Sequence, residues 1–207
     1  MQVKRELIVE PIALPEEGLP KPLEFAEIFG NDRPVELEIG CGKGTFITRE
    51  AMRRPDVNFL GVEWARFYWR YTCDRLRRNG CEGNARMLRA DANQFVREHL
   101  ADGCLSVVHI YFPDPWPKAK HNKRRLIQPA FLDEVKRILV PGGRVNAVTD
   151  HLDYWEQIER VFREGPMPLV PYERPDDVEG GEFVGTNFER KYIVEGRTFN
   201  AVSAVKA

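Results

Sequence analysis

The sequence predicts an α/β protein built on an open, mostly parallel sheet with helices on both faces. Two observations carry that expectation. From residue 35 onward short β-branched or apolar runs alternate with longer helix-like stretches. In addition, glycines 40, 42 and 44 fall between the first strand-like run and the first helix-like one, where an open α/β unit turns.

The strands expected in order are VELEI (35–39), NFLGVE (58–63), ARMLRA (85–90), SVVHIYF (106–112) and RVNAVT (144–149). Between them lie helical stretches: FITREAMRR after the glycine loop, ARFYWRYTCDRLRRNG and ANQFVREHLADG with glycine stops, and IQPAFLDEVKRILVPGG closing on Pro-Gly-Gly. Further on, HLDYWEQIERVFREG has the period of an amphipathic helix and PLVPYERP reads as an irregular strand. DDVEGGEFVG reads as a polar, glycine-rich loop, TNFERKYIVEG as a short helix and TFNAVSAV as a last alternating strand. Residues 1–34, with Pro11, Pro15, Pro20 and Pro22, are expected to form an extended or partly disordered arm, and residues 35–207 a single domain.

Composition narrows the function classes. An apolar fraction of 43% and a charged fraction of 30% are those of a globular chain, and no apolar run approaches the roughly 20 residues that span a bilayer. The first 25 residues lack the apolar core of an export signal. Cys41, Cys73, Cys81 and Cys104 follow no metal-binding or redox spacing, so no metal site is expected and a reducing cytoplasm fits. The net charge of -1 hides segregation. Arginines crowd residues 49–89 and a second basic cluster spans Lys118, Lys120, Lys123, Arg124 and Arg125, whereas acids dominate before Glu38 and from Asp150 to Glu182. Such blocks are either solvated faces or phosphate-binding ones.

The glycine loop is spaced Gly-x-Gly-x-Gly, not the Gly-x-Gly-x-x-Gly of dinucleotide sites. Glu38, inside the end of the first strand, is a poor neighbour for a pyrophosphate and a good one for a cationic ligand such as S-adenosylmethionine. Glu63 ends the second strand, where a carboxylate can accept from both hydroxyls of a ribose, and Asp91 ends the third, in reach of an adenine amino group. Each acid alone could be a helix cap or a surface acid. Together they converge on the crevice at the carboxyl edge of the sheet.

The fourth strand runs into YFPDPWPKAKHNKRRL, residues 111–126. Phe112, Asp114 and Trp116 each precede a proline, which disfavours helical backbone and is expected to hold the loop extended and stiff. A stiff loop can present Asp114 to a reacting centre with little ordering cost. Tyr111, Phe112 and Trp116 offer faces for stacking a base, and the cations that follow offer phosphate contacts.

These residues resemble the bacterial tRNA (guanine-N7)-methyltransferases. The resemblance runs from about Val35 to the C-terminus on EIGCGKG (38–44), GVE (61–63), RADA (89–92), FPDPWPKAKHNKRRL (112–126), VTDH (148–151) and TNFE (186–189). It implies a Rossmann-like class I methyltransferase fold with an antiparallel C-terminal strand, S-adenosylmethionine as cofactor, and tRNA as partner of a cytoplasmic monomer or homodimer. Glu38, Gly40, Gly42, Glu63, Asp91, Ala92 and Asp114 would then line the cofactor site, with Asp114 also the catalytic residue. Lys118, Asp150, Thr186, Asn187, Phe188 and Glu189 would meet the tRNA.

The implied target is N7 of a variable-loop guanine, position forty-six of tRNA, with Asp114 stabilising the developing cation or gripping the donor edge of the base. Glu189 is a second candidate for that edge, although Thr186 and Glu189 also fit a capping box. His121 and His151 stand near these residues and are expected to be surface histidines. Three alternatives remain open at this level. They are an N-methyltransferase acting on an adenine or glutamine amino group, a non-catalytic RNA-binding subunit with the same fold, and a dehydrogenase.

Overall fold

A computed structural model of the chain describes residues 6–175 and 182–207. In chain order the elements are α1 (Phe25–Phe29), β1 (Val35–Ile39), α2 (Thr45–Arg53), β2 (Asn58–Val62), α3 (Arg66–Arg78), β3 (Ala85–Leu88), α4 (Ala92–His99) and β4 (Leu105–Tyr111). A 3-10 turn (Ala119–Arg124) is followed by α5 (Pro129–Ile138), β5 (Leu139–Thr149), α6 (Leu152–Arg163), β6 (Leu169–Val170), α7 (Asn187–Val194) and β7 (Asn200–Val205). Most of the glycine-rich loop expected over 176–185 lies outside the described residues.

The strands form one sheet in the order β3-β2-β1-β4-β5-β7-β6. β1 pairs in parallel with β2 on one side and β4 on the other, so the strand order reverses there. That reversal opens a crevice beyond the carboxyl ends of β1 and β4. β7 inserts antiparallel between β5 and β6, as expected for the last strand. The helix expected to run to Pro-Gly-Gly stops at Ile138 instead. Its C-cap, Leu139, is already extended and pairs with Leu105, and the Pro-Gly-Gly turn becomes an irregularity inside β5.

One face of the sheet is apolar: Leu37, Ile39, Val108, Ile110, Val145 and Ala147 pack with Phe95, Val135, Tyr154, Ile158 and Phe162 from α4, α5 and α6. On the other face α2 and α3 bury Ile47, Trp69, Cys73 and Leu76 over β2 and β3. Toward β4 and β5 that second face turns polar. Arg54 forks onto Glu36 through two hydrogen bonds of 2.7 Å, His109 Nε2 lies 2.9 Å from the same carboxylate, and His109 Nδ1 lies 2.8 Å from the Tyr111 hydroxyl. Burial alone pushes the Glu36 carboxyl upward, but His109 and Arg54 outweigh it and bring it down to about 2.

Part of the N-terminal stretch packs along the sheet. Ile12 is fully buried, the Leu14 amide donates to Met87 O at 2.8 Å and the Met87 amide donates to Ile12 O at 2.9 Å. This pairing covers the edge of β3 that would otherwise be open.

Candidate active site

At the carboxyl ends of β1 to β4 lies a cavity of about 700 Å³ whose walls include Gly40, Gly42, Glu63, Asp91, Ala92 and Asp114. A smaller one of about 80 Å³ shares Gly40, Gly42, Tyr111 and Phe112 with it and reaches Glu38, Phe46 and Thr186. The seven residues expected at a cofactor thus line two neighbouring cavities that share part of their walls.

The glycine loop crosses this crevice as a tight turn. At Gly44 the backbone has φ +65°, and a Cβ there would sit 2.4 Å from Thr72 Cγ2, so conformation and space both demand glycine. Thr72 in turn donates its hydroxyl to Gly42 O at 2.8 Å. Glu63 locks the loop from the other side: Oε2 accepts the Gly42 amide at 2.9 Å and Oε1 accepts the Ala65 amide at 2.8 Å. Its carboxylate is therefore held by backbone on two sides, with a lone pair left on each oxygen.

Glu38 sits deeper, only 5% exposed, and its Oε2 has no hydrogen-bond partner among the described residues. Burial pushes its carboxyl up to about 8, so the group is largely neutral at pH 7 until a cation arrives. Asp91 behaves as the N-cap of α4, with Oδ1 accepting the Gln94 amide at 2.9 Å. The cap aims the same carboxylate at the crevice, so the capping and ligand readings of this acid are compatible.

The proline-fenced loop departs from the expected extended backbone. Phe112 and Trp116 have φ of 51° and 42°, the only positive values at non-glycine residues among the described ones. Each such position is strained by about 1–3 kcal/mol and must be held by its surroundings. Phe112 is held by its amide, which donates to Val148 O at 2.8 Å, and by edge-on packing against Phe199 at 5.7 Å. Asp114 is exposed on the crevice wall between these two points.

The aromatics divide. Tyr111 borders both cavities but is only 7% exposed and is bonded through its hydroxyl to His109, which leaves little of its ring for a base. Trp116 stays on the crevice wall with the Arg124 guanidinium 5.0 Å from its ring centroid. The cations divide too. Lys118, Lys120, Lys123 and Arg124 are exposed, whereas Arg125 is 3% exposed and directs its donors to other residues of the chain, Pro115 O at 2.7 Å, Gln157 Oε1 at 3.1 Å and the Asp153 carboxylate. Arg125 is therefore withdrawn from the expected phosphate contacts. No feature of five near-consecutive cations says which one turns inward.

The C-terminal candidates are reassigned in part. Thr186 borders the smaller cavity and caps α7, accepting the Glu189 amide at 3.1 Å. Glu189, a candidate for the guanine edge, is instead fully buried, and its carboxylate accepts the amides of Phe183, Val184 and Gly185, the last two at 2.9 and 2.8 Å. It shapes the segment that carries Thr186 and is not open to a base. Asp150 pairs with Arg197 at 2.7 Å, and the side chains of Asn187 and Phe188 lie outside the described part of the structure. His151 accepts the Tyr154 amide at 3.3 Å as the cap of α6.

A family model described as "Putative methyltransferase" matches residues 32–200. The tRNA (guanine-N(7)-)-methyltransferase of Geobacter metallireducens is 40% identical over 194 residues, which cover 92% of this chain and 90% of that protein. The enzyme of the same name from Rhodopirellula baltica is 38% identical over 186 residues, 84% of this chain and 67% of its own length. The chain belongs to the tRNA (guanine-N7)-methyltransferase family. Among solved structures, the 16S rRNA methyltransferase KamB superposes with a TM-score of 0.63 over 93% of this chain and 97% of its own at 12% identity, and a SAM-dependent methyltransferase from Aquifex aeolicus with 0.57 over 88% of each at 15% identity. Both likenesses bear on the fold, which is the Rossmann-like class I methyltransferase fold.

As a member of this family the protein is an S-adenosylmethionine-dependent methyltransferase, which sets aside the dehydrogenase and the non-catalytic subunit. The residues present fit that cofactor: an unsatisfied buried carboxyl suits a ligand with ammonium and sulfonium charges, and a backbone-anchored carboxylate with free lone pairs suits a ribose diol. None of the helices among the described residues is long and apolar enough to cross a membrane.

Proposed function

We propose that the protein methylates N7 of the variable-loop guanine, position forty-six of tRNA, within the crevice between Glu63 and Asp114. The observation that carries this reading is that Asp114 and the nucleoside-type acids Glu63 and Asp91 share one cavity, with exposed Lys123 and Arg124 on its wall. A ligand held by the acids and a base brought in over the cations would meet at Asp114.

Bound S-adenosylmethionine supplies an electrophilic methyl group on a sulfonium. In this proposal Glu63 accepts from its ribose hydroxyls, Asp91 from its adenine amino group, and Glu38 faces its amino-acid end. Gly40, Gly42 and Ala92 let backbone approach closely. N7 of guanine carries a lone pair and no proton, so the chain need not provide a general base, and positioning carries most of the rate. Asp114 contributes charge: a carboxylate beside the purine favours the cation that methylation creates, or accepts from the N1 and N2 donors of the same ring. Trp116 offers a stacking face, Lys118, Lys120, Lys123 and Arg124 meet phosphates, and Thr186 and Asp150 line the approach. Residues 35–207 form the methyltransferase domain of a cytoplasmic monomer or homodimer, with residues 1–34 as its flank.

The reading is tested with labelled cofactor and unmodified tRNA transcripts. Methyl transfer is expected to a transcript with ordinary guanine and not to one containing 7-deazaguanine, which lacks the nucleophile. Equal labelling of both transcripts would move the reaction to another atom.

A further inference from the structure

We propose that Arg125 is a positioning residue for methyl transfer, setting the Asp114 loop from behind with α6 as its base. The inference rests on the reading that Asp114 acts at the methylated base. A buried guanidinium is tolerated only where its donors find acceptors, and here they do. Nε donates to Pro115 O at 2.7 Å, Nη1 to Gln157 Oε1 at 3.1 Å and Nη2 to the Asp153 carboxylate, while the group lies 4.9 Å from the Tyr154 ring centroid.

The Pro115 carbonyl belongs to the peptide plane that leads into Trp116, whose φ is 42°. Holding that oxygen fixes the plane next to Asp114 and keeps Trp116 in its strained state. The same helix face also grips the chain beyond the loop: the Tyr154 hydroxyl accepts the Ile127 amide at 3.0 Å and Gln157 Nε2 donates to Ile127 O at 2.8 Å. Both the middle and the far end of the loop are thus referenced to one rigid element, as a site on a loop requires. Three of the Arg125 donors are committed to these bonds and the residue is only 3% exposed, which separates it from the exposed Lys123 and Arg124.

Arg125→Lys keeps the charge and loses the planar fork, and Asp153→Asn weakens the fork at an exposed position. Arg125→Lys is expected to lower kcat on tRNA by about 100-fold, the size of the effect when a positioned group is displaced. It should leave cofactor affinity and the salt dependence of tRNA binding as in the wild type, and trypsin should cut faster between Lys118 and Arg124. Asp153→Asn should show the same pattern in weaker form. Arg125→Gln removes the charge, and a flattened salt dependence in that variant with unchanged cleavage would make Arg125 a phosphate ligand and overturn the proposal, as would kcat within about twofold of wild type in both Arg125→Lys and Asp153→Asn. If Arg125→Lys does not fold, Asp153→Asn decides alone: unchanged kcat and unchanged cleavage overturn the idea. The cleavage is read without substrate, so it reports on the clamp even if the wild type proves to methylate a different atom.

Discussion

Glu63 reaches from the end of β2 to the glycine loop, where its Oε2 accepts the backbone amide of Gly42 at 2.9 Å. This bond ties the acid of the second strand to the turn after the first. Glu63→Ala should therefore weaken S-adenosylmethionine binding by at least the worth of a hydrogen bond to a charged group, about 1.5–3 kcal/mol. Calorimetry measures this directly, and wild-type affinity in the variant would remove Glu63 from the site.

Glu38 gives a pH signature. Its carboxyl is raised from 4.5 to about 8 by burial, so in the ligand-free protein it stays protonated across that window while the unfolded chain ionises. A raised acid costs stability progressively as pH climbs from 4.5 to about 8 and by a constant amount above that. The cationic ends of the cofactor favour the ionised form, so binding below about pH 8 should release a proton and tighten as pH rises toward that value. Titrations in buffers of different ionisation enthalpy read the proton count. Glu38→Gln should abolish the release and flatten the fall in Tm with pH; release that persists in the variant would assign the proton to another group.

The exposed cations around the 3-10 turn should act additively on RNA. Neutralising Lys118, Lys123 and Arg124 together is expected to lower tRNA affinity and to reduce the log-log salt slope by roughly 0.7–0.9 for each phosphate no longer neutralised. A slope equal to the wild type would make the cluster a solvated face.

Most of the scaffold was legible in the sequence because it depends on local pattern. Strand and helix periods, glycine stops and the acids at three strand ends place Glu38, Glu63, Asp91 and Asp114 along one sheet edge with no need of long-range information. What escaped depends on tertiary partners. The direction in which Arg125 turns is set by Asp153 and Gln157, one turn apart on α6, and Glu189 is consumed by amides that a loop brings to it. The prolines point to an extended loop, but Val148 O and Phe199 hold Phe112 at positive φ against that preference. The Glu36, His109 and Tyr111 chain is spread over two strands and becomes visible only once β1 and β4 are paired.

Asp114 is the residue on which charge should matter most. Asp114→Asn keeps size, the residue before Pro115 and much of the hydrogen-bonding capacity, but removes the charge. Turnover is expected to fall by roughly 100-fold or more, as when a preorganised electrostatic interaction is removed, with little change in Tm. Near-normal turnover would reject the electrostatic role, and a collapse of Tm would make Asp114 a turn residue.

The central claim, that this crevice methylates N7 of guanine in tRNA, is tested most directly by mass spectrometry of the nucleosides released from an unmodified tRNA after incubation with the wild-type protein and S-adenosylmethionine. The account predicts 7-methylguanosine, located in the variable-loop fragment. Methyl groups on an adenine or on another guanine atom, or no methylated nucleoside at all, would contradict it.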